Sequence, residues 1–114
     1  MKRINIRLSH TFLCRHNHQS HFVYQLFRPC FRPAKKGFLK PVGEWNYEEV
    51  IAKGSKIKVI LNNEVILDGD IEEAVKNGTP DTHEHPGLKN KTGHIGFLGH
   101  GSVLRFRNIR IKAL

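Results

Sequence analysis

The sequence predicts an all-β fold built from short antiparallel strands. Two observations carry this. Apolar and polar residues alternate with a period of two in several short runs, as strands with one buried side require. Between those runs stand Gly, Pro and Asn clusters of the kind that close tight turns.

The elements follow in order. Pro41-Val42-Gly43 reads as a turn, and Trp45 to Lys53 as a strand broken at Gly54. In Lys56–Leu61, Ile57, Val59 and Leu61 share one face, and Lys56, Lys58 and Ile60 the other. Asn62-Asn63 suits a hairpin turn, because Asn tolerates positive φ better than most residues. Glu64 to Leu67 returns as a strand, closed by Asp68-Gly69-Asp70. Ile71 to Lys76 suits one helical turn, stopped by Asn77-Gly78, and a polar loop runs over 78–92. In 93–101, Ile95 and Phe97 share one face, and His94, Gly96, Leu98 and His100 the other, with a turn at Gly99–Gly101. The last strand starts at Ser102 with Leu104 and Phe106 on one face and Arg105 and Arg107 on the other. The apolar face then passes to Ile109 and Ile111, a phase change that predicts a β-bulge near Arg107-Asn108. The expected core is Ile57, Val59, Leu61, Ile95, Phe97, Leu104 and Phe106, with Trp45 as an anchor.

Residues 1–32 read differently. They hold four of the eight histidines and several aromatics but show no sustained period, which predicts a poorly ordered basic, His-rich arm. Polar and basic residues interrupt every apolar run after Met1-Lys2-Arg3, so no signal peptide is expected. A transit-like peptide fits the absence of acids slightly better, but Ser is sparse.

Length and composition set outer bounds. A chain of 114 residues with 39% hydrophobic and 25% charged residues makes one small domain. No stretch reaches the ~20 apolar residues of a membrane helix, so no membrane span is expected. Cys14 and Cys30 are too few for a disulfide framework. The net charge of +9 suggests a nucleic-acid partner until it is divided along the chain. Residues 1–41 hold nine Lys/Arg and no acid, whereas 42–114 hold ten Lys/Arg against ten Asp/Glu. The whole excess sits in the first third of the chain, and no nucleic-acid partner is expected for the rest.

Three segments carry a family resemblance. They are Leu39-Lys40-Pro41-Val42-Gly43-Glu44-Trp45-Asn46, then Lys53-Gly54 with Ile60-Leu61-Asn62, and finally Gly93–Gly101 leading into Phe106-Arg107-Asn108-Ile109-Arg110-Ile111. In this order and spacing they resemble the C-terminal half of the 3-keto-disaccharide hydrolase domain family. The resemblance covers residues 33–114 and leaves 1–32 without a match. It implies a concanavalin-like jelly-roll sandwich, here partial, and a carbohydrate partner. It also implies cleavage of glycosidic bonds in 3-keto sugars, by hydrolysis or by a lyase step, and bacterial relatives that are periplasmic or secreted. A ketone at C3 acidifies the C2 proton, so a base can remove it and expel the C1 substituent. A divalent metal or a cationic donor near the keto oxygen would stabilise the enolate. If the domain is a truncated half, the chain is expected to be a poorly active fragment.

Relatives of the implied fold bind sugars on an outward concave face. His94, His100 and Arg107 are the candidates for base, acid or keto-oxygen donor there, and Trp45 for sugar stacking. The plainer reading has His100 capping the Gly99–Gly101 turn, Arg107 making an edge hydrogen bond and Trp45 in the core. Glu44, Glu48 and Glu49 lack a second carboxylate placed by spacing, so no glycosidase pair can be argued. His83-Glu84-His85 could ligate a metal but reads better as a solvated loop. Cys14, His16, His18, His21 and Cys30 lack the paired spacing of a zinc finger. The cofactor is therefore left open. The alternative function is a non-catalytic carbohydrate-binding sandwich module.

Overall fold

The structure is a computed structural model that describes residues 5–14, 35, 37–78, 86, 96–97 and 103–114. Five strands form one antiparallel sheet: β1 (Ile6–Cys14), β2 (Asn46–Lys53), β3 (Lys56–Leu61), β4 (Glu64–Asp70) and β5 (Leu104–Ala113). Among the described residues one short helix, α1 (Ile71–Asn77), follows β4. The spatial order is β4-β3-β2-β1-β5. The all-β antiparallel expectation holds.

The meander β2-β3-β4 forms where local signals are strongest. Asn62 and Asn63 adopt φ of 49° and 71°, the two positive values that a two-residue hairpin matched to strand twist requires. Gly54 turns β2 into β3 with φ of 63°. In the Pro41-Val42-Gly43 turn the N–H of Glu44 donates to the Pro41 carbonyl at 3.1 Å. Two asparagine side chains fasten this turn to the hairpin. Asn62 accepts from the Tyr47 N–H at 2.9 Å and donates to the Phe38 carbonyl at 2.7 Å and to Asn46 Oδ1 at 2.9 Å. Asn46, fully buried, also accepts from the Lys40 N–H at 2.9 Å. Asp70 caps α1 by accepting from the Glu72 N–H at 2.9 Å. The Ser55 hydroxyl and the backbone N–H groups of α1 hold its carboxyl below the ordinary value of 3.8.

Both bulges have a function in the register. In β4 the extra residue is Ile66, between pairs Val59–Leu67 and Ile60–Val65, and both Ile66 and Leu67 are buried. In β5 the expected bulge is present: the register against β1 shifts between Ser9–Arg110 and Thr11–Arg107, and Asn108 takes φ of 54°.

The described part of the first segment, residues 5–14, departs from expectation. Ile6–Cys14 is no loose arm but a strand flanked by β2 and β5. It alternates Ile6, Leu8, His10, Phe12 inward with Arg7, Ser9, Thr11, Leu13 outward. The histidine in an inward slot hides that alternation from a hydrophobic count. The core is Leu8, Phe12, Val50, Val59, Leu61, Ile66 and Leu67, with Phe38, Leu39, Ile57, Ile71, Ala74, Leu104 and Phe106 packed against it. Val59 and Leu61 lie in the core as expected, whereas Phe97 is 37% exposed and Trp45 is half-buried outside it. Ile95 and the Gly99–Gly101 turn lie outside the described residues. The sheet is well covered near β2 and β3 but open at its β5 margin, where Ile109 and Ile111 are 51% and 62% exposed.

Two stability tests follow from this packing. Phe12→Ala should cost about 3–5 kcal/mol and Ile111→Ala less than about 1 kcal/mol in urea unfolding. Asn63→Gly should leave stability nearly unchanged, because Gly accepts positive φ. Asn62→Gly also keeps the turn but removes three side-chain hydrogen bonds, so it should cost about 1–3 kcal/mol.

Candidate functional site

The two sides of the sheet carry different chemistry. On the inner side His10 of β1 lies directly opposite Glu48 of β2. Their side chains are 1% and 2% exposed, with His10 Nε2 3.3 Å from Glu48 Oε1. Phe12, Phe97 and Phe106 surround the imidazole at centroid distances of 5.8, 4.8 and 5.6 Å, and Phe97 meets it edge-on. His10 Nδ1 and Glu48 Oε2 are buried and make no hydrogen bond among the described residues. A pair so enclosed cannot touch a substrate from solvent in this arrangement. It bonds β1 to β2 inside the core.

The outer side is polar and open. The Arg107 guanidinium lies 3.9 Å from the centroid of the Trp45 ring. Its Nε donates to Thr11 Oγ1 at 3.3 Å, and the Thr11 hydroxyl donates to the Arg107 carbonyl at 3.2 Å. Beside this cluster Arg7 forms an ion pair with Glu49, and Tyr47 is 39% exposed. Strand parity explains the grouping. Thr11 pairs with Tyr47 on one flank and with Arg107 on the other, so all three side chains project to the same side.

Two of the four residues expected at the site are therefore brought together. Trp45 supports Arg107 rather than anchoring the core, which corrects its expected place there. Arg107 does make the edge hydrogen bond of the plainer reading, and it also presents a cation held over an aromatic ring. His94 and His100 lie outside the described residues, as do the His83-Glu84-His85 loop and residues His16, His18, His21 and Cys30. Among the described residues no group of three His, Cys, Asp or Glu could hold a metal ion, so no metal ligand set can be built from them. No helix among them is long and apolar enough to cross a membrane. Sequence reasoning missed Thr11 and His10, both within the segment read as an arm. Period-two alternation over Ile6–Phe12 was the available signal.

The described residues thus make a five-stranded antiparallel sheet with a covered inner side and an open outer side that carries an Arg–Trp pair. A protein from Parabacteroides distasonis, named a "putative glycosyl hydrolase", has the same fold. Its structure matches with a TM-score of 0.65 at 19% identity, over 97% of this chain and 79% of that one. The sequence pattern of the 3-keto-alpha-glucoside-1,2-lyase-like domain family matches residues 4–112, and the chain belongs to that family. The match takes in β1, so the segment before Pro33, expected to lie outside the family, is largely part of it. No curated protein matches the chain.

The inner pair yields a test. Glu48→Leu should destabilise by about 1–3 kcal/mol, because His10 Nε2 loses its partner. Adding His10→Phe should restore most of that loss, and a double-mutant cycle by thermal or urea unfolding reads the coupling.

Proposed function

We propose that the chain cleaves glycosidic bonds of 3-keto sugars by elimination across C1 and C2. Membership in a family named for a 3-keto-alpha-glucoside 1,2-lyase supports the reaction class. The observation that carries the residue assignment is the Arg107 guanidinium, fixed over Trp45 and by Thr11 on the open side. Its Nε is used by Thr11, and among the described residues its terminal nitrogens have no partner. They are suited to donate to the C3 keto oxygen as it gains enolate charge. A base takes the C2 proton, the electron pair forms the C1–C2 double bond, and the C1 oxygen departs with a proton. Water added to the resulting enone completes net hydrolysis. His94 and His100 are proposed as base and acid, on the strength of their shared strand face in the sequence. Trp45 positions Arg107 and offers apolar surface to the sugar ring.

The test supplies a 3-keto α-glucoside and its 3-hydroxy parent. Cleavage of the first only, with a transient enone absorbance, is expected. Arg107→Ala should lower kcat about 10²–10³-fold, the usual effect of losing a donor to a developing oxyanion. Binding of sugar with no turnover of either compound would instead make the chain a non-catalytic carbohydrate-binding module.

A further inference from the structure

The charges of the sheet are sorted by strand. At one edge β4 and α1 carry Glu64, Asp68, Asp70, Glu72 and Glu73. In the middle, cations meet acids: Lys58 lies 3.9 Å from Asp68, and Arg7 pairs with Glu49. At the other edge β5 carries Arg105, Arg107, Arg110 and Lys112 and no acid. Among the described residues no ion pair reaches any of these four cations.

The register aligns them. Arg105 lies opposite Leu13, Arg107 opposite Thr11, Arg110 opposite Ser9 and Lys112 opposite Arg7. Those partners are alternate residues of β1, so the four cations project to one side, and all four are exposed. At a strand rise of about 3.3 Å per residue, the row extends roughly 20 Å. Lys112 stands directly across from Arg7, an arrangement of like charges that disfavours the pairing. Among the described residues folding thus gains no ion pair from the row, whereas an anionic ligand would.

We infer that the outer side of β5 binds an acidic saccharide chain, one that bears uronate carboxylates or sulfate esters. This rests on the glycoside reading of the same side, because Arg107 belongs both to the row and to the proposed site. Guanidinium groups bind carboxylate and sulfate oxygens through paired N–H donors, which suits three arginines in line. The spacing of alternate residues, about 7 Å, is comparable with the repeat of a sugar chain. A nucleic acid is the less fitting polyanion. Single-stranded binding depends on free aromatic faces for the bases, and one face of Trp45 is already taken by Arg107.

The experiment measures affinity by calorimetry for four probes of matched length. They are an oligogalacturonate, a sulfated glucan oligosaccharide, a neutral glucan oligosaccharide and single-stranded DNA. At least one acidic saccharide should bind about tenfold or more tighter than the neutral one, with affinity falling steeply as salt rises. Whichever of the two binds tightly identifies the anion. The triple variant Arg105→Gln, Arg110→Gln, Lys112→Gln should abolish that preference while leaving the melting temperature and turnover of a neutral 3-keto glucoside unchanged. The same positions changed to Lys, Lys and Arg should retain it in part. Equal binding of neutral and acidic saccharides, tightest binding of DNA, or undiminished binding by the glutamine variant overturns the inference. Turnover of a neutral 3-keto glucoside without acidic preference sinks this inference and leaves the catalytic reading standing. Acidic preference without turnover of any 3-keto sugar supports the inference and removes the catalytic reading.

Discussion

The pairing of β1 with two strands distant in sequence is the constraint on which the rest depends. Thr11 meets Arg107 across 96 residues and His10 meets Glu48 across 38. Remove β1, and β5 loses its only neighbour among the described residues, while β2 becomes an open edge. The same strand supplies Leu8 and Phe12 to the core and Arg7 and Thr11 to the open side. Closing so long a loop costs entropy before any contact repays it. The order of events in folding is therefore expected to run from the local β2-β3-β4 meander to the late arrival of β1 and β5.

Hydrophobic patterning fixes which side of β1 faces inward, yet it leaves a slip of two residues nearly neutral. The buried polar pair removes that freedom. Moved two residues either way along β2, His10 would meet Asn46 or Val50, and Glu48 would face Leu8 or Phe12. A carboxylate against a leucine, in a space closed by three phenylalanines, is a costly alternative. The pair need not add net stability to select the register, since the penalty falls on the misaligned states.

What could be read from sequence divides along the line between local and distant interactions. The Asn62-Asn63 hairpin, the Gly54 break and the β5 bulge each show in a few consecutive residues, because turn geometry is decided by local φ preference. The place of β1 does not show, because its inner row mixes Ile6, Leu8 and Phe12 with His10, and its basic neighbours dominate the composition. The pairing of Glu48 with His10 does not show for a similar reason: it lies across the ladder, where spacing along the chain says nothing. Arg107 and Trp45 were each picked for a role of their own. That the two stack on each other depends on β1 lying between β2 and β5, which only the fold supplies.

The single extra residue at Asn108 sets a length rule for the end of the chain. Beyond it, Ile111 returns to the side of Leu8, while Arg110 and Lys112 take the side of Ser9 and Arg7. Replacing Asn108 by glycine changes a letter and keeps the count. Deleting it would exchange inside and outside for everything that follows, turning the arginine and lysine inward and the isoleucines outward. Sequence drift in this stretch is thus tolerant of substitution and intolerant of a one-residue gap, whereas a loss or gain of two would keep the sides and shift only the partners.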